Sequence, residues 1–158
     1  MRVAVGSDHA GFDLKEILKA ELAAQGHAVD DHGTFEPGVA VDYPDFGAAV
    51  GGAVSGGSAD LGVCICGSGN GMAMAANKVP GVRAAVVHDV STAALARRHN
   101  HANVLCVGAR TTGATVAVDA LAAFMDACEE HGRHDGRLEK LAGLERGLVH
   151  QLPVEGTP

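Results

Sequence analysis

Cys66 opens the segment Cys66-Gly67-Ser68-Gly69-Asn70-Gly71, directly after the apolar run Leu61–Ile65. A glycine-rich turn between a strand and a helix points several backbone N–H groups at one spot, and the helix dipole adds partial positive charge there. Such a turn can stabilise an oxyanion, and it holds a thiol toward its nucleophilic, basic thiolate. An ordinary strand-to-helix turn, with Cys66 as a small apolar residue, fits the same pattern. The segment has no Gly-Lys-Ser/Thr, so it is not a nucleotide P-loop, and it follows the third strand where a dinucleotide fingerprint follows the first. Cys64 shares a strand face with Cys66, but the two further ligands a zinc site needs are not found at any recognisable spacing. Cys64 therefore reads as structural, and no metal is expected.

Other residues could join this chemistry. Asp8-His9 follows the first strand, where Asp8 could orient a sugar hydroxyl, serve as a catalytic acid/base, or cap the first helix. His99-Asn100 closes the fourth helix, and His suits general acid–base work near neutrality. Nine histidines are present, and His27, His32, His131 and His150 read as surface residues. Arg133 and Arg137 are four apart; on a helix they share a face and can grip one phosphate, or they form a solvated charged face. Arg110 follows the last strand and lies at the same sheet end by topology. An anion hole, a thiol, an acid–base His, an Asp and two or three Arg together suit moving a proton on a small phosphorylated substrate. That chemistry requires no cofactor.

The elements that must hold these residues alternate. Val3–Gly6, His27–Asp31, Leu61–Ile65, Val82–Val87 and Val104–Val107 read as strands. Helices are expected over a stripe at Leu14, Ile17, Leu18 and Leu22, then over 45–55, Met72–Lys78, Ser91–Arg98, 114–128 and 137–150. The 114–128 helix carries apolar residues at 117, 120, 121, 124, 125 and 128. Residues 32–45, with Pro37 and Pro44, form the longest irregular stretch, a length often given to function. Alternation of this kind implies a parallel sheet with helices on both faces and ligands at the carboxyl ends of the strands. The last helix, with Leu138, Leu141, Leu144 and Leu148 on one side, has no place in that sandwich and is expected to dock on a neighbouring subunit. Residues 1–150 read as one domain and 151–158 as a flexible tail.

Bulk properties narrow the class. The 158 residues carry a formal net charge of −7, against the clustered positive field a nucleic-acid binder needs. No run approaches the ~20 apolar residues of a membrane span. Met1-Arg2-Val3-Ala4-Val5-Gly6 turns too early for a signal peptide and reads as a strand. Four cysteines without a disulfide framework point to reduced thiols in a cytoplasmic protein.

Several motifs in order resemble one family. They are Gly6-Ser7-Asp8-His9-Ala10-Gly11-Phe12, Asp42-Tyr43-Pro44, Ile65 through Gly71, Ala75-Ala76-Asn77-Lys78, Gly81-Val82-Arg83-Ala84, Arg98-His99-Asn100 and Gly132-Arg133-His134. From residue 1 to about 150 the chain resembles ribose-5-phosphate isomerase B and its relatives, which include galactose-6-phosphate isomerase subunits. The resemblance implies a Rossmann-like three-layer α/β/α sandwich with a five-stranded parallel sheet. It also implies a homodimer, or a tetramer built from it, with sites shared across the interface. The implied reaction interconverts ribose 5-phosphate and ribulose 5-phosphate through an enediolate. Cys66 would be the base, His99 would help open the furanose ring, and Ser68 and Asp8 would handle hydroxyl protons. Backbone amides at Gly67, Gly69, Asn70 and Gly71 would stabilise the enediolate. Arg133, Arg137 and His9 would hold the phosphate, with Tyr43, Asn100 and Arg110 completing the substrate contacts. A branch of the family replaces the Cys by Gly and uses a Glu just after the glycine loop. Here that position is Met72, which cannot act as a base, while Cys66 is kept.

Two other readings compete. One is an isomerase of a tetrose or hexose phosphate, with the same fold and chemistry. The other is a non-enzymatic nucleotide-binding domain, which would leave Cys66 and His99 without a purpose.

Overall fold

The computed structural model describes residues 1–147. Five strands, β1 (Arg2–Ser7), β2 (Ala28–Asp31), β3 (Leu61–Cys66), β4 (Ala84–Val86) and β5 (Val104–Gly108), form one parallel sheet in the order β2-β1-β3-β5-β4. Six helices accompany them: α1 (Phe12–Ala24), α2 (Tyr43–Ser55), α3 (Asn70–Ala76), α4 (Val90–Asn100), α5 (Ala114–Asp126) and α6 (Asp135–Glu145). The expected α/β fold with its five-stranded parallel sheet is the one observed.

Alternation along the strands divides the core in two. Val3, Val5, Leu61, Val63, Ile65, Leu105 and Val107 face the layer of α1, α4 and α5. Ala4, Cys64, Cys66, Val104 and Cys106 face α2 and α3. With few aromatic side chains, the second layer packs through small residues. A Cβ on Gly47 would come within 2.8 Å of the Ala75 Cβ, so α2 and α3 approach to backbone distance there.

Several boundaries differ from those read in the sequence. The α1 stripe keeps Leu14, Leu18 and Leu22, but Ile17 is exposed and Lys15 is fully buried in its place. The Lys15 ammonium donates to both Asp31 carboxylate oxygens at 2.9 Å and to the Thr34 carbonyl at 2.8 Å. Burial of a charge is tolerated because each proton has an acceptor. Helix α5 stops at Asp126, where Ala127 turns extended, so Cys128 leaves the apolar stripe and is exposed. Helix α6 starts earlier than expected, at Asp135, and leaves Leu141 and Leu144 exposed. Leu148, the expected end of that helix and the tail at 151–158 lie outside the described residues.

Candidate active site

In this strand order the chain reverses direction across the sheet between β1 and β3, and the carboxyl ends of β1, β3 and β5 enclose a cavity of about 400 Å³. Asp8, His9, Ala10, Tyr43, Cys66, Gly67, Ser68, Gly71, Arg110 and Thr111 line it. Each side chain has a local cause. Asp8 ends the first strand, and its Oδ1 accepts from the Ala10 and Gly11 amides at 2.9 and 3.0 Å. It therefore caps the first turn and lines the cavity as well. His9 receives the Val41 N–H on Nδ1 at 3.3 Å, which ties the 32–42 loop to the site. Tyr43 begins α2, and its ring lies where a Cβ on residue 71 would stand, 2.8 Å away; only glycine fits at Gly71.

Cys66 is 4% exposed, yet it lines this cavity. Its sulfur accepts the Gly69 N–H at 3.1 Å. Gly69 takes φ of 80°, a left-handed conformation that suits glycine and swings its amide back onto the sulfur. The Gly69 amide, expected on the substrate, here donates to the thiol. Asn70, exposed at the start of α3, lies outside the cavity lining. The neighbouring thiols differ. Cys106 hydrogen-bonds Cys64 and is fully buried, and both effects hold its thiol well above the ordinary range. Cys64 and Cys106 sit side by side in the sheet core, and Cys66, one turn of the pleat further on, reaches the open end. Met72, on α3, is fully buried in the core layer that α2 and α3 form on the sheet, and does not line the cavity.

The remaining candidates lie elsewhere. None of His99, Asn100, Arg133 and Arg137 lines the Cys66 cavity. Asn100 lines a separate groove of about 380 Å³ between α6 and the β4 edge. His99 stacks on His134 with ring centroids 4.4 Å apart. Arg133 and Arg137 do not share a helix face, because Gly132 at φ 78° ends the preceding segment and α6 begins only at Asp135. They still converge on His134. Burial, then His99, Arg133 and Arg137, holds its imidazole below the ordinary histidine range. Thr111 and Ala10 line the cavity without having been singled out; both neighbour residues that were, Arg110 and His9.

The order of the motifs agrees with what comparison with known proteins finds. A ribose/galactose isomerase family profile matches residues 3–141. The chain belongs to the ribose/galactose isomerase family. It is 41% identical over 145 residues to ribose-5-phosphate isomerase B of Escherichia coli K12, covering 92% of this chain and 97% of that one. It is 42% identical over 127 residues to galactose-6-phosphate isomerase subunit LacB of Clostridium acetobutylicum, covering 80% and 73%. Among solved structures, ribose-5-phosphate isomerase B of Clostridium thermocellum superposes with a TM-score of 0.92 at 42% identity, over 94% of this chain and all of that one. The Mycoplasma genitalium enzyme, solved with bound ribulose 5-phosphate, superposes with a TM-score of 0.88 at 41% identity, over 92% and 96%. This family member is thus an isomerase enzyme, and among its described residues no helix is long and apolar enough to cross a membrane.

Proposed function

We propose that the protein interconverts ribose 5-phosphate and ribulose 5-phosphate, with Cys66 as the base. The observation that carries this reading is the Cys66 sulfur at the wall of a cavity that Asp8, Ser68 and Arg110 also line, with the Gly69 N–H donating to it at 3.1 Å. The thiolate removes the C2 hydrogen of the open-chain aldose as a proton. The C–H electron pair forms the C1–C2 double bond, and the carbonyl pair moves to O1, giving an enediolate. Ser68 and Asp8 shuttle the hydroxyl proton from O2 to O1. The Cys66 thiol then returns its proton to C1 as the C2 carbonyl forms. The Asp8 Oδ1 is occupied by two amides, which orients the carboxylate for this role. Backbone amides of the 67–71 turn other than that of Gly69 stabilise the oxyanion.

His9 and Arg110 bind from this chain. A second copy of the chain contributes His99, Asn100, Arg133 and Arg137, which explains why one protomer keeps them away from Cys66. The exposed Leu141 and Leu144 of α6 supply apolar surface for that contact. Four free cysteines suit a cytoplasmic setting. The likeness to a galactose-6-phosphate isomerase subunit supports a second reading, a hexose phosphate substrate, and a panel of phosphorylated aldoses separates the two.

The test is Cys66→Ala. Turnover of ribose 5-phosphate should nearly vanish while binding of the sugar phosphate, measured by calorimetry, persists. A variant with the kcat of the natural protein would refute the assignment.

A further inference from the structure

Two imidazoles and one carboxylate meet outside the Cys66 cavity. His99, in the last turn of α4, stacks on His134 with their planes 11° apart. Glu130 Oε2 lies 3.5 Å from His99 Nε2 and 3.9 Å from His134 Nε2. Glu130 is itself anchored, since its N–H donates to the Arg98 carbonyl at 2.9 Å. Arg133 Nε donates to His134 Nε2 at 3.1 Å. The three residues look like metal ligands, but the geometry argues otherwise. A nitrogen lone pair lies in its ring plane, and two nearly parallel stacked rings have separate planes that do not meet at one ion. The Arg133 guanidinium also occupies His134 Nε2 with positive charge.

Counting protons gives a different role. A guanidinium donates and never accepts. His134 Nε2 must therefore be the acceptor, so His134 is neutral and carries its hydrogen on Nδ1. An ionised Glu130 accepts only, and the proton that faces it comes from His99 Nε2. That leaves His99 Nδ1 on the far side of the ring. The separation of 3.5 Å is longer than a closed hydrogen bond, as catalytic contacts often are before substrate arrives.

We propose that Glu130 and His134 are positioning residues for His99, committing its Nε2–H to the Glu130 carboxylate and leaving Nδ1 to exchange a proton with the furanose ring oxygen. The inference rests on the isomerase reading above. In the ring-opening step, the protonated His99 gives its Nδ1 proton to the ring oxygen. The C1–O4 bond breaks and its electron pair stays on O4. The C1 hydroxyl proton passes to the Asp8 carboxylate as the C1 carbonyl forms. The neutral His99 left behind keeps Nε2–H facing the Glu130 carboxylate, which lies 3.5 Å from Nε2 in the free protein. Orientation of an imidazole by a carboxylate follows the logic of a catalytic triad.

The experiment follows isomerisation of ribose 5-phosphate by the full-length protein, Glu130→Gln and Glu130→Asp over a wide range of enzyme concentration. Only the small free-aldehyde fraction of the sugar reacts without ring opening. A variant that has lost ring opening is limited at high enzyme concentration by spontaneous opening, so its velocity reaches a ceiling. Glu130→Gln should lower kcat by roughly tenfold to a hundredfold, at or below the foot of the ~10²–10⁴-fold range for a general acid–base group because His99 itself remains, and show that ceiling. Glu130→Asp should regain part of the loss. Velocity that falls but stays proportional to enzyme concentration means a structural role, and unchanged velocity means no role; either overturns the proposal. Should the variants fail to fold, long-range ¹H–¹⁵N spectra of the natural protein report the His99 tautomer: hydrogen on Nε2 is expected, and hydrogen on Nδ1 overturns it. Cys66→Ala run alongside separates the two ideas. If it still turns over, the site reading fails; if it is dead and no ceiling appears with Glu130→Gln, only the role of Glu130 fails.

Discussion

The Cys66 turn and the His99–Arg133 face are built on opposite plans. The turn hangs on strand ends already locked in the sheet: Asp8 N–H donates to Ile65 at 3.2 Å, Ala109 to Cys66 at 2.8 Å, and Arg110 to Gly67 at 3.0 Å. Its geometry is settled by the same hydrogen bonds that settle the fold. The other face is assembled from a helix end and the connection between α5 and α6. It is held by Glu130 to Arg98, by His101 Nε2 to the Glu130 carbonyl at 2.8 Å, and by the Arg97–Glu129 pair. The first region encloses a cavity, whereas the second presents its charges outward. A cavity that Arg133 and Arg137 do not line, beside those arginines facing outward, is what the site proposed above, shared between two copies, would look like in one of them.

The largest expected effect breaks the first region alone. Cys66→Ala should lower kcat by about 10³-fold or more, since a missing base removes a step made only in the transition state; steady-state rates at saturating ribose 5-phosphate check it. Mixing asks whether the two regions belong to one site. Cys66→Ala and His99→Asn, each nearly inactive, should regain about a quarter of normal activity after co-refolding in equal amounts, because half the dimers are mixed and each mixed dimer has one intact site. No recovery would mean that both regions serve a site within one chain. Arg137→Ala sharpens the comparison on the second side. It should raise KM about tenfold with kcat within about twofold, the pattern of a ligand contact equal in ground and transition states. An unchanged KM would remove Arg137 from the phosphate site.

The smallest effect concerns what supports the first region. Asp31 holds Lys15, and Lys15 fixes the start of the loop that reaches His9. Burial opposes the charged form of Asp31, but the hydrogen bonds from Lys19 and Lys15 outweigh it and keep its carboxyl below the ordinary range. A depressed carboxyl contributes stability above its unfolded value of about 3.9, and that contribution fades as pH falls through the folded value. Lys19 is shifted the other way, upward: desolvation works against its charge, and Asp31 and Glu16 more than offset it. Its contribution is present below about 10.4 and is lost as pH rises through the folded value. Urea midpoints of Asp31→Asn should therefore fall below those of the natural protein between about pH 4 and pH 10 and converge with them in strong acid.

Reading the sequence located the strands well, because Leu61–Ile65 and Val104–Val107 are continuous apolar runs and a strand covered on both faces needs nothing else. It also located the Cys66 turn, since only glycine tolerates the backbone shape at residue 69 and the ring contact at residue 71. Helical phase misled it. The stripe through Ile17 gave way to Lys15, whose burial depends on Asp31, sixteen residues away and out of reach of any local pattern. The spacing of Arg133 and Arg137 suggested one face, and Gly132 broke the phase that spacing assumes.

By itself, then, the order of residues determined the sheet, its layers and the chemical character of the turn, because these follow from periodicity and local sterics. Tertiary structure decided which of three neighbouring thiols meets the cavity, that the Gly69 amide serves the sulfur, and that the histidine and arginines stand apart from it. Those outcomes depend on which distant segments end side by side at one edge of the sheet, and no spacing along the chain encodes that distance.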